Sequence, residues 1–340
     1  MAKTRIAING FGRIGKMAFK IALEEHGDNV EIVGINDLGP AEQAVQGLKY
    51  DSVYPSFDHD IDFGDDFISV DGVKVPKYAE MEPEKLPWKD LKVDVVLECT
   101  GVFTSKEGAS KHLTAGAKTV IISAPAKGDD PVGTFVMGVN HDEHDAAKDP
   151  VLSNASCTTN CIAPVMQVLH DEFGVEKAMM STIHGYTADQ RLVDGVHKDP
   201  RRARAAAINT IPTSTGAAVA TAETIPELVG IFDGMAFRVP VPVGSVSDIT
   251  AVLKKDVTVE EVNAALSKAA DSERYAGVLG VTTDPIVSSD IIGNKLSSLV
   301  DLPLTMVVGG NMVKVVAWYD NEYGYSNRLV EQAVEVGKDL

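Results

Sequence analysis

Two rhythms of apolar and polar positions run along this chain. In the first half, short continuous apolar runs alternate with stretches at helical spacing. Residues 5–9 (RIAIN) predict a strand, and Gly10-Phe11-Gly12-Arg13-Ile14-Gly15 follows it directly. Ile14, Met17, Ala18 and Ile21 then recur at helical intervals to about His26. Residues 30–35 form a second apolar run that ends at Asn36-Asp37, completing a βαβ unit. Residues 67–70 and 73–75 flank Asp71-Gly72, a strong hairpin-turn dipeptide. Residues 93–98, 119–123 and 135–139 predict further strands. Runs without alternation suit a sheet covered on both faces, hence a mostly parallel one.

Beyond about residue 154 the rhythm changes. A strand-like VLSN leads into Ala155-Ser156-Cys157, and a helix is predicted over about 158–173 with Ile162, Val165, Met166 and Leu169 on one face. Later strands are longer and alternate: 177–183, 235–239, 247–253 and 313–319. They predict a mixed or antiparallel sheet with helices on one face. Thr258 with Glu261 reads as a capping box. A last helix from about Ser326 aligns Leu329, Ala333 and Val336.

Composition narrows the class. The 340 residues are 44% hydrophobic and 24% charged, enough for two domains, with no fixed-period repeat. The N-terminal residues 1–9 lack the apolar core of a secretory leader, and no run of eighteen apolar residues occurs. A cytoplasmic protein without a membrane span is expected. The net charge of −18 (49 acidic against 31 basic side chains) disfavours nucleic acid and anionic membrane as partners, and one reading of it is adaptation to high salt. Three cysteines, Cys99, Cys157 and Cys161, form neither a disulfide framework nor a zinc-ligand pattern, so no metal is expected.

The glycines at 10, 12 and 15 lie between a strand and a helix, where a dinucleotide pyrophosphate can meet the helix N-terminus. Asp37, after the second strand, is placed to accept from ribose hydroxyls; the plainer reading makes it a cap of the next segment. A carboxylate there opposes the extra phosphate of NADP. Arg13 is either a solvated helix-start cation or a charge offered to phosphate or adenine.

Ser156-Cys157-Thr158-Thr159-Asn160 sits at a strand-to-helix junction, where the helix dipole is expected to lower a thiol pKa. Cys161, one turn on, reads as packing. His184 ends a strand and opens a polar segment, which suits a base, although residue pattern alone leaves His141, His144, His170 and His197 as other candidates. Arg201, Arg202 and Arg204 form a basic patch that is solvated, paired with acids, or used for an anionic substrate. Thr213-Ser214-Thr215-Gly216 before an apolar helical run is a plausible anion nest, and Arg238 at a strand end is a second clamp.

With these residues in view, the chain resembles the phosphorylating glyceraldehyde-3-phosphate dehydrogenases nearly end to end. The motifs are NGFGRIG at 9–15, IND at 35–37, ECTG at 98–101, SAPAKG at 123–128, SNASCTTN at 153–160, PTSTGAA at 212–218, GMAFRVP at 234–240 and WYDNEYGYSNR at 318–328. The resemblance implies an α/β fold. A Rossmann-type NAD(P)-binding domain would span 1–154, and an α+β catalytic domain with a mixed, largely antiparallel sheet 155–317. Residues 318–340 would return to the nucleotide domain. It implies Cys157 as nucleophile and His184 as base. Asn9, Gly10, Phe11, Gly12, Arg13, Ile14, Gly15, Asp37, Thr100, Gly101, Ser123, Asn321 and Tyr325 would bind the cofactor. Of these, Asn321 would hold the nicotinamide amide. Thr187 and Arg238 would take the substrate's phosphate; Ser156, Thr158, Thr215 and Gly216, with Arg202 nearby, would take inorganic phosphate. The family's setting is glycolysis and gluconeogenesis, as a homotetramer.

The chain departs from the family pattern in three places. Gly195-Val196 replaces the Leu-Pro of NAD-specific members, as small residues do in NADP-accepting photosynthetic ones, whereas Asp37 and Leu38 keep the NAD-like form; the expectation is NAD with dual use of NADP. HSYTND reads HGYTAD, with Gly185 and Ala188. PTPN reads Pro240-Val241-Pro242-Val243, followed by Gly244 in place of valine. The nearest rival is a dehydrogenase of another phosphorylated aldehyde such as erythrose 4-phosphate, in which water replaces phosphate as acceptor; the intact PTSTG favours phosphate.

Overall fold

The computed structural model describes residues 2–340; Met1, part of the stretch read for a leader, lies outside them. Contacts divide the chain into two units. The first holds residues 2–135, 141–155 and 326–340, and the second 136–140 and 156–325.

In the first unit β1 (Thr4–Asn9), α1 (Arg13–Glu24) and β2 (Val30–Asn36) form the βαβ unit. Then come α2 (Ala41–Lys49), β3 (Ile61–Phe63), β4 (Phe67–Val70) and β5 (Val73–Tyr78), followed by β6 (Val95–Glu98), α3 (Lys106–Thr114), β7 (Thr119–Ile122), β8 (Gly133–Thr134) and β9 (Val151–Ser153). They build one nine-stranded sheet in the order β3-β4-β5-β2-β1-β6-β7-β9-β8. From β5 to β8 every pairing is parallel; only the β3-β4-β5 edge is antiparallel. The central strands are apolar on both faces because helices cover both: Ile6, Ala7, Ile8, Val95, Val96, Ile121 and Ile122 are fully buried. Asp71-Gly72 makes the expected tight turn, with φ of 50° and 80°.

Residues 135–139 are not the predicted strand. The Val136 N–H donates to Asn140 Oδ1 at 2.9 Å, and the Asn140 N–H returns to the Val136 carbonyl at 3.2 Å. Gly138 between them has φ +79°. The run closes on itself as a turn, and burial of Val136 and Val139 in that turn explains the apolar signal.

The second unit begins with α4 (Cys157–Phe173) and β10 (Val175–Gly185), then β11 (Ile211–Ser214), α5 (Ala217–Thr224), β12 (Phe232–Val239), β13 (Ser245–Leu253) and α6 (Val259–Ala270). It continues with β14 (Leu279–Thr282), β15 (Ser298–Asp301), β16 (Met306–Val308) and β17 (Met312–Tyr319). The last helix, α7 (Tyr323–Gly337), starts earlier than predicted and passes into the first unit at Ser326. The sheet order is β11-β12-β10-β13-β17-β15-β14, with β16 beside β17. It is mixed and largely antiparallel, and β10-β12 and β14-β15 are its parallel pairs. In β13 every second side chain is buried, the alternation expected of a sheet with one covered face. The Thr258–Glu261 capping box forms as read.

Candidate active site

Two of the three glycines of the first turn, Gly10 and Gly15, are required by geometry. Gly10 has φ +92°, and a Cβ there would lie 2.7 Å from the Thr100 nitrogen. A Cβ on Gly15 would lie 2.0 Å from the Gly10 carbonyl oxygen, so only glycine lets α1 approach β1 this closely. Around Gly12 there is open space instead, and Gly12 caps α1 without any side-chain bond. The helix start therefore offers bare N–H groups to an anion in a space no side chain fills. Asp37 accepts from the Phe11 and Gly39 N–H groups, one on each oxygen, both at 2.8 Å, which fixes its carboxylate at the turn. A cavity of about 400 Å³ is bounded by Asn9, Gly10, Gly12, Asp37 and Thr100 among others. An open helix start beside a fixed carboxylate fits a dinucleotide. Ile14 lies in the first turn of α1, Gly101 takes φ +72°, and the Ser123 N–H donates to the Glu98 carbonyl at 3.0 Å. Arg13 is tied to Asp51 at 2.5 Å and lies over Tyr54, so its charge is already partnered.

Beneath this turn lies a buried network that the residue pattern did not reveal. Glu98 is 1% exposed and accepts from Asn9 Nδ2 at 2.5 Å, from the Thr100 N–H at 2.8 Å, and from the Thr100 hydroxyl. Trp88 Nε1–H can only donate, and it donates to His112 Nδ1 at 2.9 Å. The His112 proton must then sit on Nε2, which faces Glu98 at 3.1 Å. Four donors thus satisfy one buried carboxylate, as a buried charge demands. The only signal in the sequence was a glutamate ending an apolar run.

In the second unit, chain topology assembles the reactive group. The parallel register of β10 and β12 sets His184 beside Arg238. Cys157 opens α4, and its Sγ lies 3.4 Å from His184 Nε2. On the other side of the ring, Nδ1 is 2.7 Å from the Gly185 carbonyl oxygen and 2.6 Å from Arg238 Nη1, which also donates to that carbonyl at 3.1 Å. Two neutral tautomers fit this triangle. Nδ1–H donating to Gly185 leaves Nε2 bare toward the sulfur; Nδ1 accepting from Arg238 puts the proton on Nε2. An imidazolium would add a second positive charge beside the guanidinium in a buried site. Burial and then the Arg238 charge accordingly push His184 down to about 3.

Burial also moves the Cys157 thiol, upward, against the opposing pull of Arg238 and the Thr158 hydrogen bonds. This corrects the expectation of a lowered thiol pKa. Desolvation outweighs the helix dipole, which is already partly used: Ser156 caps α4, its Oγ accepting from the Thr159 N–H at 3.0 Å. Ala155, just before the cap, is held at φ +57°, a left-handed conformation costly for alanine. Cys161 is fully buried and its thiol is pushed up to about 12.

The expected phosphate residues are unevenly placed. Arg238 keeps a buried Nε without a partner among the described residues, a donor suited to an anion. Arg202 is bound by Asp189, by Thr213 Oγ1 at 2.9 Å and by the Ser214 carbonyl at 3.0 Å, beside Thr215 and Gly216. Gly216 opens α5 without a side-chain cap. The Thr187 N–H is held by Gln190 Oε1 at 3.3 Å. By contrast, the Thr158 hydroxyl is turned to Tyr319 Oη at 2.8 Å and that of Ser156 serves the cap. Among the described residues no hydrogen bond joins Ser156 or Thr158 to Thr215 or Gly216. Two arginines of the basic patch are paired with acids, Arg202 with Asp189 and Arg204 with Asp194 at 2.8 Å, while the Arg201 guanidinium reaches the Pro212 carbonyl at 3.5 Å. Asn321 and Tyr325 are both buried, Asn321 against the turn that starts β13.

Comparison with known proteins agrees with this geometry. Residues 4–106 match the family described as glyceraldehyde 3-phosphate dehydrogenase, NAD binding domain, and residues 156–321 match its C-terminal domain. The glyceraldehyde-3-phosphate dehydrogenase of Streptomyces coelicolor is 52% identical over 336 residues, 99% of both chains. That of Geobacillus stearothermophilus is 52% identical over 332 residues, 98% of both. That of Haloarcula vallismortis is 52% identical over 331 residues, 97% of both. With an NAD-binding α/β unit and a paired cysteine and histidine in a mixed-sheet unit, the chain belongs to the glyceraldehyde-3-phosphate dehydrogenase family and is an NAD-dependent oxidoreductase.

Proposed function

We propose that this enzyme oxidises D-glyceraldehyde 3-phosphate to 1,3-bisphosphoglycerate, with inorganic phosphate as acceptor and a thioester on Cys157. The observation that carries this reading is Cys157 Sγ at 3.4 Å from a histidine nitrogen whose opposite nitrogen faces Arg238. His184 Nε2 takes the thiol proton as the sulfur attacks the aldehyde carbon, and returns it to the new alkoxide, giving a thiohemiacetal. Bound NAD supplies the hydride acceptor. His184 removes the hydroxyl proton as hydride leaves the carbon, and the acyl group stays on sulfur as a thioester. A phosphate oxygen then attacks that carbonyl carbon, the C–S bond breaks and the acyl phosphate leaves, and His184 returns its proton to the sulfur, restoring the Cys157 thiol. Arg238 and Thr187 would hold the substrate's own phosphate; Thr215, Gly216 and Arg202 would receive the incoming one, with Ser156 and Thr158 contributing through the backbone at the α4 start. Asn321 would hold the nicotinamide amide with Tyr325 packed near the ring, and the glycine turn with Asp37 would hold the adenosine end.

The test is NAD reduction with glyceraldehyde 3-phosphate, with and without inorganic phosphate, repeated on Cys157→Ser. Turnover should require phosphate, and the variant should lose roughly 10⁴-fold or more. Turnover independent of phosphate would defeat the phosphorylating assignment, and retained activity in the variant would defeat the nucleophile.

Homotetramer formation, a cytoplasmic location, a place in glycolysis and gluconeogenesis, and dual use of NADP belong to the same reading. Leu192, Val193, Val196 and Ile208 are 72–92% exposed on one segment, more apolar surface than a monomer ordinarily shows in one stretch. Light scattering would give the oligomeric state. No helix among the described residues is long and apolar enough to cross a membrane. Steady-state kinetics with each nucleotide decides the cofactor: Asp37 favours NAD, and a large NADP preference would defeat that order.

A further inference from the structure

The departures at Gly185 and Gly244 meet at one buried point. Asn321 follows β17, and its Oδ1 accepts from the Gly244 N–H at 3.2 Å and the Ser245 hydroxyl at 2.9 Å. The same hydroxyl oxygen accepts from the Gly185 N–H at 3.3 Å, next to His184. Ser245 is 1% exposed and Asn321 5%, so water has little room to substitute. A backbone N–H can only donate, hence the side-chain atom facing Gly244 must be oxygen, and the amide orientation is settled by chemistry. A flipped amide would set NH₂ against N–H. The Asn321 Nδ2 is thereby turned away from the turn and has no hydrogen-bond partner among the described residues.

The Gly244 N–H points this way only because of an unusual backbone. Its φ is +97°, and a Cβ there would lie 2.3 Å from the Ser288 carbonyl oxygen. The valine that the family pattern calls for could not adopt this turn unchanged. A Cβ on Gly185 would likewise lie 3.0 Å from the Val241 carbonyl. The two glycines let the 240–245 turn and the end of β10 close around Ser245.

We propose that Gly244 and Ser245 are positioning residues that lock the Asn321 amide with its NH₂ outward and thereby fix which face of the nicotinamide is reduced. This rests on the reading of Asn321 as the nicotinamide anchor. The decisive readout is the stereochemistry of hydride transfer, measured by NMR on the reduced cofactor formed from a C4-deuterated nicotinamide, together with the KM for NAD and for the aldehyde. The parent should use a single face. Ser245→Ala should raise the NAD KM by about 5- to 10-fold, the worth of one hydrogen bond, leave the aldehyde KM unchanged, and place label on both faces. Gly244→Ala, which must shift the turn, should give the same stereochemical leak even if Ser245→Ala folds poorly. Asn321→Ala separates the two readings. If it leaks while both turn variants keep a single face and the parental KM, the positioning proposal is overturned and the anchor stands. If Asn321→Ala itself keeps a single face and the parental KM, the anchor reading fails and the proposal with it.

Discussion

The two strand-to-helix junctions of this protein use one local device in opposite ways. At the first, α1 starts on Gly12 with no side-chain cap, and its N–H groups face open space. At the second, α4 starts on Ser156, whose hydroxyl takes the Thr159 N–H, and the residue presented is Cys157. A glycine turn exposes backbone and so binds an anion; a capped turn satisfies its backbone and so presents a side chain. The first junction gets its positive φ from glycine at residue 10, the second forces it on Ala155. One junction is built for approach, the other for placing a reactive atom.

The largest effect should come from the packing glycine. Gly15→Ala drives a methyl into the Gly10 carbonyl and should destabilise the first unit by about 3 kcal/mol or more, seen as a lower urea midpoint; a variant as stable as the parent would break the close-packing account. Next is Arg238→Gln. If Arg238 holds the substrate's phosphate as proposed, the variant loses a charge-assisted bond and should lower kcat/KM for the aldehyde roughly 10- to 100-fold. It should also raise the His184 pKa. In the parent the folded value near 3 lies below the unfolded 6.5, so His184 contributes stability above pH 6.5 that is lost as pH falls toward 3. The variant should lose less stability across that window. Unfolding free energies at several pH values check the sign, and an equal or steeper loss would contradict it.

A graft between the junctions sharpens the comparison. Gly12→Ser gives α1 the cap that α4 has. It should keep or slightly raise stability, by a few tenths of a kcal/mol, while weakening NAD binding about tenfold by filling the open space and using an N–H group. Isothermal titration with NAD reads this directly, and unchanged affinity would mean that the bare helix start is not the phosphate site. Smallest is Ala155→Gly, which relieves the left-handed strain at the cost of glycine's backbone entropy. A net change within about 1 kcal/mol is expected, with kinetics unaltered; a larger loss would show that the alanine methyl, fully buried, packs more than it strains.

Local pattern exposed most of the first unit. Continuous apolar runs identified β1, β2, β6 and β7 because a parallel sheet covered on both faces admits nothing else. It failed at 135–139, where burial arose from a turn rather than a strand. Cys157 was legible from its junction, but the direction of its pKa was not, since desolvation depends on what surrounds it. Glu98, His112 and Trp88 were silent for the same reason: a buried polar group announces itself only through partners far along the chain.

The sequence by itself determined the glycine turn, the acid after β2, the helix start at Cys157, and the family motifs, because each is a local conformational demand written in adjacent residues. Only the tertiary structure decided which histidine meets Cys157, that burial and then Arg238 hold it neutral, and that Gly244 and Ser245 face Asn321. Those relations depend on strand register and on loops closing across many residues, where charge, burial and hydrogen-bond direction come from neighbours in space.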